Sequence, residues 1–232
     1  MRVRLEEWRE TGVAWRNPME DCLMKAGFAN YERACKDYHD YWEVFNQVLY
    51  DMCRRYPDHS DLSHIIAKVG IISRSLAAGL ERQVRSGGGQ GEALDKVGEH
   101  VRKDSEEVEG IFARLRSVAE PLTPEKLKVI VTEHGRFNRL LMKITREHRS
   151  PRSFVAKYMH FHCPAVPIYD SICSAKLRKM VRWTDDLMLF DPIKGADDWY
   201  LWHVFRFYQL YQDLKAAGKK VTVRLVDVFL LS

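Results

Sequence analysis

Long apolar runs are missing: none of eighteen or more residues occurs in the 232-residue chain, which argues against a hydrophobic membrane-spanning helix. Met1 to Trp15 alternates charged and apolar residues instead of leading from a basic patch into an apolar stretch, so no signal peptide is expected. Cysteine is sparse and odd in number, five residues (Cys22, Cys35, Cys53, Cys163, Cys173) with no CxxC pair. That pattern does not make a zinc ribbon, and without an export signal it points to reduced thiols in a cytoplasmic protein. The one glycine-rich run, "SGGGQG" at 86–91, lacks the GK[ST] tail of a phosphate-binding loop and follows no strand, so it reads as a flexible connector. Strand ladders and internal repeats are likewise missing.

A hydrophobic content of 46% is enough for a proper core. The net charge of +5 is unevenly spread: residues 124–182 hold thirteen Lys and Arg against four acids, a local +9 that leaves the remainder near −4. A basic block of this kind suggests a surface facing a polyanion.

Apolar residues recur at intervals of three and four along most of the chain, which predicts helices. One long helix is expected from Tyr31 to Met52, with Trp42 and Val48 on its apolar face and Pro57 ending it. A second is expected from Ser60 as cap, and a third over about 92–119, stopped by Pro121. "LTPEKL" offers Thr123 as N-cap and Pro124 at the first helical position for a helix to about His148. Ser150-Pro151 repeats that signal before "FVAKYMHF"; "YDSICSAKLRKMVRW" follows Pro167, and a further amphipathic helix covers about 196–217. "TVRLVDVFLLS" has β-branched residues suited to a strand and a Thr222 cap suited to a helix; helix is preferred. The expected fold class is therefore all-α, a multi-helix orthogonal bundle in a single domain 1–232, with lobes 1–85 and 92–232 on either side of the connector.

The chemistry concentrates in "HFHCPAVPIYDS", residues 160–171. His160 and His162 are two apart, about 200° on a helix, so they do not share a ligand face; no metal and no cofactor is expected. Cys163 stands beside both histidines without any thiol-enzyme motif. Asp170 opens a helix after a proline-stiffened turn, where free N–H groups and the helix dipole favour a carboxylate; such a carboxylate caps the helix and can also serve as general base or electrostatic stabiliser.

The order helix, short loop, "VPIYDS", helix resembles a segment of the helix-hairpin-helix DNA glycosylase superfamily, which includes endonuclease III and 8-oxoguanine DNA glycosylase; bacterial proteins with "KYLHFH…PIYDS" segments are similar. "FVAKYMHF" matches the second hairpin helix, and Val166 to Asp170 match a "hPVDxHh" segment whose aspartate is the catalytic carboxylate. The resemblance covers about residues 145–180. It implies a DNA-binding, DNA-repair type of protein in which Asp170 stabilises positive charge on the sugar, or activates the nucleophile, after a base is flipped out of the duplex. Where the family has a glycine-rich "LPGVG" turn this chain has "REHRSPRSF", and where the family's nucleophilic lysine sits it has Ser153-Phe154, with Lys157 one turn further on. On this reading Arg146, Arg149, Arg152, Lys176, Arg178 and Lys179 meet DNA phosphates, and Tyr169, Ser171, His160, His162 and Arg74 are candidates for the surrounding pocket. The alternative is a non-catalytic helical binder of DNA or of an acidic protein, with Trp183, Trp199 and Trp202 at the interface.

Overall fold

A computed structural model describes residue 28 and residues 30–38, 40–84, 90–181 and 193–232. Among these residues the architecture is all-α; the nearest thing to a strand is one isolated antiparallel bridge between Val84 and Thr145. The helices after a short helical stretch at 30–36 are α1 (Asp40–Arg55), α2 (Leu62–Ser75), α3 (Gln90–Lys103), α4 (Ser105–Arg116), α5 (Pro124–Met142), α6 (Arg152–His162), α7 (Ser171–Met180), α8 (Asp198–Ala216) and α9 (Val223–Leu231), with a one-turn helix at Leu80–Gln83. No helix among the described residues is long and apolar enough to cross a membrane.

Helix α6 is the axis of the bundle. All eight residues from Phe154 to Phe161 are buried, so it has no solvent face, the pattern of a helix enclosed by its neighbours. Helices α1, α2, α4 and α5 pack around it. Helix α2 lies close against α3, where a Cβ on Gly98 would come within 2.6 Å of Ile66 Cγ1. One apolar cluster includes Ile65 and Val69 from before the connector and Val97, Phe112, Phe154 and Leu210 from after it. Residues 86–89 of that connector lie outside the described residues, and residues 90 and 91 already belong to α3.

Several boundaries differ from the sequence expectation for local reasons. Tyr31 to Met52 is not one helix: residues 37 and 38 interrupt it, and α1 turns Trp42 and Val48 outward at 40% and 58% exposure. Ser60 does not cap α2; Asp61 does, its carboxylate accepting from the N–H groups of Ser63 and His64 at 2.8 and 3.1 Å, while Ser60 bonds Asp58. The charged segment 92–119 breaks at Asp104 into α3 and α4. Asp104-Ser105 supplies short polar side chains that compete with helical bonding, and the Asp104 carboxylate turns toward His100 and Lys143. Helix α5 starts on its Thr123 cap and Pro124 as expected but ends at Met142, short of His148. Ser150 does not cap α6, whose N-cap is Pro151; its hydroxyl donates to Asn138 Oδ1 at 3.0 Å and Asp197 Oδ2 at 3.2 Å. The C-terminal segment is a helix capped by Thr222, whose Oγ1 accepts from Leu225 N at 3.1 Å.

Candidate functional site

The loop between α6 and α7 is fixed through its carbonyl groups. Pro164 and Pro167 remove two backbone donors, and three successive carbonyls are held from outside the loop. His160 Nδ1 bonds the Val166 carbonyl at 2.7 Å, Tyr200 OH donates to Pro167 O at 2.9 Å, and His203 Nε2 bonds Ile168 O at 2.8 Å. Burial pushes the pKa of His160 down to about 3 and that of His203 to about 4. Both rings are therefore neutral, and their bonds to carbonyls fix the tautomers: His160 carries its proton on Nδ1 and accepts from Tyr50 OH at 2.5 Å, while His203 carries its proton on Nε2.

Asp170, at the end of this loop, caps α7: its Oδ1 accepts from Ile172 N at 2.9 Å. Its Oδ2 accepts from Lys157 Nζ at 3.2 Å, and the same ammonium donates to Leu76 O at 2.8 Å. The lysine side chain is 8% exposed and the aspartate 25%. Helix α9 contributes the charges behind this pair. Asp227, paired with Arg224 at 2.7 Å, has its pKa raised to about 6, burial outweighing the pull of Arg224 and Lys157. Cys173 is buried beside them with its pKa pushed up, chiefly by burial. Cys163 is no nucleophile either: its thiol donates to Leu115 O and Val118 O, and burial raises its pKa.

The remaining candidates separate into those already engaged and those facing outward. Arg152 is turned inward onto Asp197, Nη2 to Oδ2 at 2.7 Å, with its guanidinium 5.4 Å from the Tyr169 ring centre. Lys176 donates to Phe229 O at 2.8 Å across that residue's ring. Arg74 pairs with Glu81, and Arg149 with Glu147. Arg146, Lys179 and Ser171 are exposed. His162 points to the opposite side from His160, against His59 and Phe112, and no group of three or more potential metal ligands occurs among the described residues.

Arg178 is the basic candidate that the fold brings into a concave site. With Ser174 it faces Trp199, Trp202, His203 and Arg206 of α8 across a pocket of about 300 Å³. Arg178 Nη1 donates to Ser174 Oγ at 3.3 Å. Burial, then the charge of Arg178, lowers the pKa of Arg206. Trp199 is 62% exposed, and His203 Nδ1 is buried without a hydrogen-bond partner. The pocket adjoins the Asp170 turn, since His203 holds Ile168 O and its ring meets Tyr169 edge-on. Neither Arg206 nor His203 stands out in the sequence, although residues 199, 202, 203 and 206 repeat at three and four and so share one helix face. Among family models, curated proteins and solved structures, the chain finds no match. The functional reading therefore rests on this pocket and on the turn beside it.

Proposed function

We propose that the protein binds nucleic acid across the pocket of Arg178, Arg206, Trp199 and Trp202, and that its helices follow the helix-hairpin-helix glycosylase layout with Asp170 in the position of that family's aspartate. The observation that carries the proposal is the meeting of two guanidinium groups and two indoles on one concave surface, the combination that takes a phosphate backbone together with a stacked base. The layout is supported by the link between α5 and α6, where Glu147 and His148 both have φ of 51°. These are left-handed positions in the stretch where the enzymes this segment resembles carry glycine. The pairing of Lys157 with Asp170 across thirteen residues is a second support.

Within this proposal, binding is better supported than catalysis. Both oxygens of Asp170 already accept hydrogen bonds, and Lys157 is buried against Leu76 O. The spread of Arg152 and Lys176 onto internal partners favours one further reading, an acidic protein as ligand.

Fluorescence anisotropy with a labelled single strand and a duplex separates these readings. Each phosphate neutralised contributes about 0.9 to the salt slope on a duplex and about 0.7 on a single strand, so losing two contacts in Arg178→Ala with Arg206→Ala should cut the slope by about 1.8 and about 1.4 respectively. Trp199→Ala should cost about 1–3 kcal/mol of stacking. Affinity that ignores salt, or is unchanged in the double variant, would leave the acidic-protein reading. Release of a base that stops in Asp170→Asn would add catalysis.

A further inference from the structure

A second cavity, of about 220 Å³, opens on the other side of α6, between the last turns of α1, α4 and α6. Phe112, Leu115 and Pro57 form its apolar wall, and Arg54 and Arg116 stand at its edge. His162 closes it, and the Nε2 of this ring is buried with no hydrogen-bond partner. A buried ring nitrogen with nothing to bond costs stability unless something fills the space in front of it.

Three features bear on what would fill it. In size, an apolar cavity of about 150 Å³ holds a benzene ring, so this one has room for a single ring with a small substituent. In shape, the lining rings of Phe112 and His162 meet at a centroid distance of 4.7 Å, with His59 stacked on Phe112 behind them, which gives the wall an aromatic face. In charge, the electrostatic influences on His162 come from Lys68, His59 and Arg116, with no carboxylate among them. Of the acids beside the lining residues, Glu109 is occupied by His59 Nδ1 at 2.7 Å and lies 3.7 Å from Arg116, and Asp51 pairs with Arg54. The helix ends meeting at the cavity carry partial negative charge; Arg54, Arg116 and the buried Lys68, whose ammonium holds the Tyr56 and Asp58 carbonyls at 2.7 and 2.8 Å, oppose it.

We infer that this cavity is a binding site for a small aromatic carboxylate, its ring against Phe112 and Leu115, its carboxylate taking hydrogen bonds from His162 Nε2 and the Arg116 guanidinium. The site is separate from the Trp199 pocket and does not depend on nucleic-acid binding.

Calorimetry of the full chain with benzoate, benzene, benzamidine and inorganic phosphate tests it, with the His162 imidazole signal followed by NMR. Benzoate should bind and move the His162 signal, and each of the other three should bind at least about tenfold more weakly, the worth of one charge-assisted bond. Arg116→Gln, at a side chain that is 51% exposed and so safe for folding, should weaken benzoate by about the same factor. No benzoate binding, benzene or phosphate binding as tightly, a preference for the cation benzamidine, or an affinity indifferent to Arg116→Gln would each overturn the inference.

Discussion

Mild acid should destabilise this protein at a pH above that at which ordinary carboxylates titrate. Burial lowers the pKa of His59, His134 and His160 to about 3 and that of His203 to about 4, from an ordinary value of 6.5. A folded-state pKa below the unfolded one means that unfolding takes up protons. The stability these rings contribute is complete above pH 6.5 and is lost as the pH falls toward 3. At pH 5.5 each unfolded imidazole is about nine-tenths protonated, which costs the folded state about 1.3 kcal/mol per ring relative to pH 7, or about 5 kcal/mol for the four; His162, whose pKa burial also lowers, adds to the loss in the same direction. Asp227 works the other way, because its pKa is raised to about 6; it returns about 0.8 kcal/mol over the same interval. The net loss of about 4 kcal/mol is a large part of the 5–15 kcal/mol that holds a domain together. Urea unfolding at pH 7.0 and 5.5 should show at least this difference, with a slope of roughly three to four protons at the lower pH. His160→Gln keeps a donor for Val166 O and an acceptor for Tyr50, and should flatten the slope by about one proton. Equal stability at the two pH values, or the signals of these four imidazoles titrating near 6.5 in the folded protein, would refute the reasoning.

Four other substitutions probe the packing and the site. Gly135→Ala places a Cβ onto the Gly195 carbonyl oxygen and against the Ala196 backbone; backbone yields less readily than a side-chain tip, so a loss of about 2–3 kcal/mol is expected in thermal melting. Glu147→Gly relieves a left-handed residue at φ 51° and should stabilise by about 0.5–1 kcal/mol once the extra chain entropy of glycine is deducted; a loss in a melt would show that the α5–α6 turn is built otherwise. Asp170→Asn keeps a capping side chain but leaves the buried Lys157 ammonium with Leu76 O alone, at a cost of about 2 kcal/mol. Lys157→Met should cost less, because Asp170 retains its cap and some water; a double-mutant cycle in urea that gives no coupling would mean the two are not paired in solution.

The features that the sequence made legible are those whose cause is local. Thr123 and Pro124 start α5, Thr222 starts α9, and Asp170 caps α7, because each cap and the N–H it serves are two or three residues apart. The separation of His160 from His162 follows in the same way from the angle between neighbouring helical residues. What was not legible depends on partners distant along the chain. Arg152 reads as a phosphate ligand until Asp197, forty-five residues later, takes its guanidinium. Lys176 reads likewise until Phe229 is placed beside it. Lys68 lies in an apolar stripe with Ile65 and Ile72, and only the carbonyls of Tyr56 and Asp58 explain why a lysine can be fully buried there. Trp42 and Val48 fit the apolar period of α1, yet its inward residues are Asn46, Leu49 and Cys53, since periodicity finds a stripe without fixing which edge meets the core.

The last helix has a bearing on modularity. Asp227 and Arg224 stand behind the Lys157–Asp170 pair, and Phe229 supplies the carbonyl that anchors Lys176, although the segment carrying "VPIYDS" precedes them by some fifty residues. That segment is therefore not a portable cassette. Transplanted into another helical scaffold, or excised at residue 181, it would carry its aspartate and lysine without the wall they lean on. Any exchange of this turn between proteins has to bring α9 along as part of the same unit.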